Sequence, residues 1–113
     1  MKVLVCFEGR VRPDSTGFYL LWAFEKLGHE VTHVTPDKIM GVKPGEHDFY
    51  FSCDDGLKDQ GWNPALHPSH YYCIDTHIET DWRLALAKGF DTVSVVNSEG
   101  LKLPWNRTEG KDL

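Results

Sequence analysis

Residues 2–7 read Lys-Val-Leu-Val-Cys-Phe, a continuous apolar run of the kind found in a strand that is covered on both faces. Apolar residues then recur at three- and four-residue spacing from Leu20 to Leu27, which predicts a helix. Gly28 follows at the position where a helix end favours a left-handed residue. The alternating stretch 30–35 predicts a second strand. Strand, helix and strand in this order predict a right-handed unit with parallel strands.

The rest of the chain continues this alternation. Three further apolar runs predict strands, at 48–53, 70–75 and 91–96. Residues 81–88 predict a second helix, which ends before Gly89, whereas 54–69 carry too many glycines and prolines for a crossover helix and predict a long loop. The pattern therefore predicts an α/β fold, a Rossmann-like three-layer domain at 1–103 with a parallel sheet of about five strands. Residues 104–113 are expected to form a loose tail.

The composition of the chain argues against several classes of function and location. The 113 residues hold 12 Lys and Arg against 17 Asp and Glu, a net charge of −5, and no basic stripe, which argues against a nucleic-acid partner. No apolar run approaches the roughly 20 residues that cross a bilayer, and no signal-peptide pattern is present, so we expect no membrane association and a cytoplasmic location. Each of the three cysteines lies in an apolar run, which indicates buried thiols rather than disulfides.

Polar side chains follow four of the five predicted strands. The four segments are Glu8-Gly9-Arg10, Asp54-Asp55-Gly56, Asp75-Thr76-His77 and Asn97-Ser98-Glu99. Because the carboxyl ends of parallel strands meet at one edge of a sheet, where open α/β folds bind ligands, these segments predict a site. The alternative is that they are the polar residues with which any strand ends.

His77 and Asp75 are the candidate catalytic pair. An imidazole, whose ordinary pKa lies near neutrality, suits a base that takes a proton from an acceptor hydroxyl, and a neighbouring carboxylate would fix its tautomer. The candidate substrate-binding residues at the neighbouring strand ends are Gly9, Arg10, Asp54 and Asp55. An equally weighted alternative is that Asp75 or Asp55 caps backbone N–H groups while His77 is a solvated bystander.

Three of the four tryptophans fall into two groups. Trp22 and Trp82, with Phe18, are expected to pack in the core against the sheet. Trp62 lies in the long loop, where it either binds substrate, by stacking on a sugar or covering the site, or anchors the loop.

Other chemistries are less well supported. Asp54, Asp55, Asp75 and His77, with His67 and His70 nearby, could hold a divalent metal ion, and a metal-dependent hydrolase would use Asp54, Asp75 and His77. No tight ligand spacing is present, so we expect neither a metal nor a cofactor. Cys73 lies within a strand, where a thiol is usually inert core. The loop from Gly9 to Gly17 matches neither common phosphate-binding glycine motif.

Several segments together carry a family resemblance. They are 27–32 (LGHEVT), 52–57 (SCDDGL), 66–68 (LHP), 72–78 (YCIDTHI), 81–84 (DWRL) and 90–93 (FDTV). These segments resemble the CgeB-like, spore-maturation-type branch of the two-domain GT-B glycosyltransferases, and the resemblance as a whole extends over roughly residues 1–100. The segments around Asp54 and His77 are the more telling ones.

The resemblance implies a function that needs a second domain. Family members hold the acceptor mainly with the first Rossmann-like domain and the nucleotide-sugar donor mainly with the second. These 113 residues would then be the acceptor-side half, inactive alone, and would bind donor and acceptor only with a C-terminal domain. With only two clear helices, a thinly covered face would favour docking to that domain or self-association. The alternatives are a stand-alone module that binds a small polyol or nucleotide, and a metal-dependent hydrolase.

Overall fold

The computed structural model describes residues 1–9, 16–54, 61–73 and 80–95. Its strands are β1 (Lys2–Cys6), β2 (Glu30–Val34), β3 (Phe49–Cys53), β4 (Ser69–Cys73) and β5 (Thr92–Val95). Its helices are α1 (Thr16–Lys26), a 3₁₀ helix (Pro36–Gly41) and α2 (Thr80–Ala87). All five predicted strands and both predicted helices are therefore present. The predicted tail at 104–113 and the domain boundary at 103 lie outside the described residues.

The five strands form one parallel sheet in the order β2-β1-β3-β4-β5. β3 and β4 are neighbours, paired from Tyr50 opposite Ser69 to Cys53 opposite Tyr72, as the sequence predicts. The chain turns back between β2 and β3, so that β1 has β2 on one side and the later strands on the other. This confirms the α/β, Rossmann-like fold and places a reversal of strand order between β1 and β3.

Alternate strand residues point to opposite faces, and each face has its own core. The core on one face consists of Val3, Val5, Phe7, Phe51 and Cys53, packed against α1. The core on the other face includes Leu4, Cys6, Tyr50, Tyr71 and Cys73, packed with residues from the 3₁₀ helix, from 61–68 and from α2. All three cysteines are buried free thiols, as predicted.

Helix α1 lies close to β1 because Gly17 has no side chain. A methyl group at Gly17 would overlap the ring of Phe7. The helix ends as predicted, since Gly28 adopts a left-handed φ of +93° and its N–H donates to the carbonyl of Glu25. Phe24 reaches Phe51 of β3, with ring centroids 5.7 Å apart.

Two aromatic predictions on the helices are wrong. Trp22 is 52% exposed, because 3.6 residues per turn place it about 160° around α1 from the inward-facing Phe24. Trp82 is only half-buried, and the guanidinium of Arg83 lies 4.4 Å from its ring centre. Helix α2 instead buries Arg83 and Ala87, one turn apart. Phe18 packs against the α1-side core, as expected.

Residues 61–68 cover the sheet without a helix. Trp62 stacks on Phe90 at 4.2 Å, and Leu66 is fully buried. Asn63 holds the segment in shape, since its side chain accepts from the N–H of Ala65 and donates to the carbonyl of Val42. Residues 61–68 thus cover this face of the sheet with irregular backbone.

The close approach of α1 to β1 leads to a stability prediction. Gly17→Ala should lower the free energy of unfolding by about 1–3 kcal/mol, because the ring of Phe7 or the helix has to shift. Gly41→Ala is the matched control, since a methyl group there meets no atom within 4 Å and should change stability by less than about 1 kcal/mol. Urea denaturation followed by circular dichroism measures both. Equal stabilities for the two variants would contradict the packing described.

Candidate functional site

The carboxyl edge of the sheet brings together the ends of β1 and β3. These strands are neighbours, with Cys6 opposite Ser52, so Gly9 and Asp54 follow at the same edge. Asp54 extends the sheet by one further bond, since its N–H donates to the carbonyl of Tyr72 at 2.9 Å. In open α/β sheets the crevice at a reversal of strand order is the usual ligand position. Two of the predicted substrate-binding residues therefore lie at the edge where such a site would form.

Gly9 lies where the backbone passes close to two aromatic rings. A Cβ atom at this position would lie 2.8 Å from the ring of Phe18 and 3.1 Å from that of His33. The His33 ring stacks on Phe7 at 3.8 Å, and its Nε2–H donates to the carbonyl of Phe7 at 2.8 Å. Close aromatic packing is thus sufficient reason for a glycine here.

The aromatic rings near Gly9 contact further aromatic side chains on α1. Phe18 lies 5.8 Å from His33 and 5.9 Å from Trp22, and Trp22 lies 5.7 Å from Tyr19. Tyr19 and Trp22 are both more than half exposed. A row of aromatic side chains therefore runs from the end of β1 to the surface.

Asp54 is a buried carboxylate paired with a buried guanidinium. It is 1% exposed, as is Arg83. The Nε–H of Arg83 donates to Oδ2 of Asp54 at 2.6 Å, and Nη2 donates to Oδ1 at 3.4 Å. Burial alone would lower the pKa of Arg83, but the hydrogen bond to Asp54 and its negative charge outweigh burial and raise that pKa. The guanidinium of Arg83 therefore keeps its positive charge although it is buried, and the carboxylate of Asp54 lies directly against it.

Two further ionisable groups lie beside this ion pair. The thiol of Cys73 donates to Oδ2 of Asp54 at 3.8 Å. Burial, and then the negative charge of Asp54, raise the pKa of Cys73 to about 12. The same two causes, in the same order, raise the pKa of Tyr71 above its ordinary value. Both side chains are therefore neutral near pH 7, and the thiol is not a nucleophile.

Trp62 lies inside the core rather than over the carboxyl edge. It is 7% exposed, with one face of its indole against Phe90 and its Cδ1 close to Gly89. Phe90 precedes β5, at the amino end of that strand. Of the two alternatives for Trp62, this position is that of a loop anchor.

Four predicted site residues lie outside the described residues. They are Arg10, Asp55, Asp75 and His77. In sequence, Asp75 and His77 come two and four residues after Cys73, the last residue of β4. Their roles remain predictions.

Sequence reasoning missed Arg83 as a partner of Asp54. The only local signal is that Arg83 stands four residues before Ala87, at helical spacing from a small residue that faces the core. The partner carboxylate lies 29 positions away in the chain, so no local pattern reveals the pair.

Within 1–9, 16–54, 61–73 and 80–95, no group of three or more His, Cys, Asp or Glu side chains is arranged to hold a metal ion. Asp54, one of the three ligands proposed for a hydrolase, is already bound to Arg83. A metal ion at Asp54 would bring a second positive charge beside the buried guanidinium of Arg83, which disfavours that alternative.

Comparison of the chain with family models, curated proteins and solved structures gave no match. Among the described residues, no helix has the length and apolar character needed to span a bilayer.

The buried ion pair leads to a double-mutant prediction. Asp54→Asn or Arg83→Met alone should lower the free energy of unfolding by about 3–5 kcal/mol, because each leaves the other charge buried without a partner. The double variant should lose much less, since it buries no charge. Urea denaturation of the four proteins measures the coupling. Additive losses would show that the two side chains do not act as a pair.

The raised pKa of Cys73 leads to a pH prediction. Between pH 9 and pH 12 the folded chain keeps a proton on this thiol that the unfolded chain releases, so Cys73 lowers stability as the pH rises, by up to about 1.4 kcal/mol per pH unit. Cys73→Ser retains a hydrogen-bond donor that does not ionise in this range. The melting temperature of this variant should fall less than that of the wild type between pH 8.5 and pH 11. Parallel pH profiles would contradict the assignment.

Proposed function

We propose that this chain is the acceptor-side domain of a GT-B-type glycosyltransferase. The observation that supports the proposal is the reversal of strand order between β1 and β3 in a five-stranded parallel sheet. Such a reversal opens a crevice at the carboxyl edge, and two of the segments that carry the family resemblance, 52–57 and 72–78, begin in the last residues of β3 and β4. Gly9 and Asp54 follow β1 and β3 there, and the segment with Asp75 and His77 follows β4.

The proposed chemistry is a displacement at the anomeric carbon of a nucleotide sugar. His77 accepts the proton of an acceptor hydroxyl, and the hydroxyl oxygen forms a bond to the anomeric carbon. The bond between that carbon and the diphosphate oxygen breaks, and the diphosphate leaves with the electron pair. Asp75 orients the imidazole and stabilises the imidazolium that forms.

The reaction requires the donor and the acceptor to be held together. Correct orientation of two reactants can lower a barrier by several kcal/mol, and the departing diphosphate needs its own positive or hydrogen-bonding partners. In the proposed enzyme a second domain supplies the donor site. The carboxyl edge described here supplies the acceptor and the base.

We expect the isolated 113-residue chain not to turn over nucleotide sugars. The test measures release of free nucleoside diphosphate from UDP-glucose, UDP-N-acetylglucosamine and GDP-mannose, with no release above the protein-free background expected. Robust, saturable release that survives purification would contradict the need for a second domain.

Nuclear magnetic resonance of the ¹⁵N-labelled chain tests the acceptor site directly. Neutral saccharides should shift amide signals at Gly9, Asp54 and 74–79, and His77→Ala should weaken this response. His67→Ala is the matched control, because His67 is an exposed histidine paired with Asp91, beside the amino end of β5. Shifts caused by free nucleotides alone would favour the stand-alone binding module, and no shift with any saccharide would contradict the acceptor site.

A further inference from the structure

A histidine of β4 bridges two hydroxyl side chains of β5. His70 lies opposite Thr92 in the sheet, and Ser94 lies opposite Tyr72, two residues further along. The Nδ1 atom of His70 lies 2.6 Å from Oγ1 of Thr92, and its Nε2 atom lies 2.7 Å from Oγ of Ser94. Both ring nitrogens are therefore within hydrogen-bond distance of a hydroxyl oxygen.

The hydrogen bond that Thr92 donates determines the tautomer of His70. The Thr92 hydroxyl donates its proton to the carbonyl of Ser69 at 3.4 Å, so its oxygen accepts from Nδ1–H of His70. A neutral imidazole carries one N–H, so its Nε2 has a lone pair, and the hydroxyl of Ser94 donates to it. A hydroxyl, a base that accepts from it and a third group that orients the base are the parts of an activated serine.

These three side chains lie on an accessible part of the sheet. Tyr72 packs against the core on the α1 side, so His70 and Ser94 face that side too. Thr92 is exposed, His70 and Ser94 are each partly exposed, and β5 is the outermost strand. The ring of Phe51, whose centre lies 5.2 Å from that of His70, adds an apolar surface beside them.

We propose that Ser94 is a nucleophile that cleaves small uncharged carboxylic esters, with His70 as its general base and Thr92 as a positioning residue. The neutral hydroxyl, imidazole and aromatic groups that meet here suit an uncharged substrate. The three side chains lie on the face of the sheet rather than at its carboxyl edge, so this activity is additional to the proposed glycosyl transfer.

The first half of the reaction transfers the acyl group to Ser94. Its Oγ atom forms a bond to the carbonyl carbon while Nε2 of His70 accepts the hydroxyl proton. The bond between the carbonyl carbon and the alkoxy oxygen breaks, and the leaving alcohol takes the proton from His70. In the second half His70 accepts a proton from water, whose oxygen attacks the same carbon. The acid then leaves, and Ser94 recovers its proton from His70.

The orienting group limits the strength of the effect. In a Ser-His-Asp triad a carboxylate stabilises the imidazolium that forms, whereas the Thr92 hydroxyl orients the ring without carrying a charge. We therefore expect His70 to accelerate the reaction of Ser94 by about 100-fold, the lower end of the range for general-base catalysis.

A fluorophosphonate probe tests the nucleophile directly. Oγ of Ser94 forms a bond to phosphorus, the phosphorus–fluorine bond breaks, and fluoride leaves while His70 takes the hydroxyl proton. The rate of labelling at Ser94 is measured in the full 113-residue chain by mass spectrometry of its peptides. Circular dichroism establishes that each variant is folded.

His70→Asn should lower the labelling rate at Ser94 by about 100-fold, because an amide cannot act as the base. His29→Asn is the matched control and should keep the wild-type rate, since His29 contacts the N-terminal amine at 3.2 Å, at the start of β2. Thr92→Val should lower the rate by a smaller factor, and Thr92→Ser should restore it because the hydroxyl is retained.

Two results would overturn the proposal. One is equal labelling of Ser94 in the wild type and in folded His70→Asn. The other is a native wild-type chain whose Ser94 reacts no faster than in the same chain unfolded in urea, a comparison that needs no variant to fold. Because the probe contains no sugar or nucleotide, either result leaves the proposed glycosyl transfer untouched.

Discussion

The burial of the Asp54 carboxylate constrains how α2 packs on the ends of β3 and β4. An ionised carboxylate removed from water is costly unless a charged partner satisfies it, and here that partner is Arg83. Because Arg83 belongs to α2, the pair fixes the first turn of that helix above the ends of β3 and β4. Burial, and then the negative charge of Asp54, also raise the pKa of Tyr71 and the pKa of Cys73, so both side chains stay protonated near pH 7.

The two faces of the sheet are covered by different means. On one face α1 approaches closely, because Gly17 admits the ring of Phe7, and Phe24 extends the contact to β3. On the other face, the irregular segment 61–68 covers the sheet with aromatic side chains. Trp62 of this segment and Tyr71 of β4 both stack on Phe90. Aromatic side chains bury much surface per residue, so a short irregular segment can cover β3 and β4 without a helix.

The sequence predicts the fold well because each element is a local pattern. The apolar run of β1, the spacing within α1 and the glycine at position 28 all depend on residues a few positions apart, and the structure confirms them. The inward face of a helix is harder to predict. Nearly every residue from Phe18 to Phe24 is apolar, so the pattern indicates a helix but not that Trp22 faces outward.

The candidate site could be predicted only in part, for a related reason. The order of strands decides which polar segments become neighbours. The Asp54–Arg83 pair depends on a contact between residues 29 positions apart, which no local sequence motif predicts.

The contact with Arg83 also limits the roles that Asp54 can have. A carboxylate that is 1% exposed, and whose Oδ2 accepts from Arg83 and Cys73, offers almost no surface to an incoming acceptor hydroxyl. In the proposed function, Asp54 therefore holds α2 to the end of β3 through Arg83 rather than contacting the acceptor.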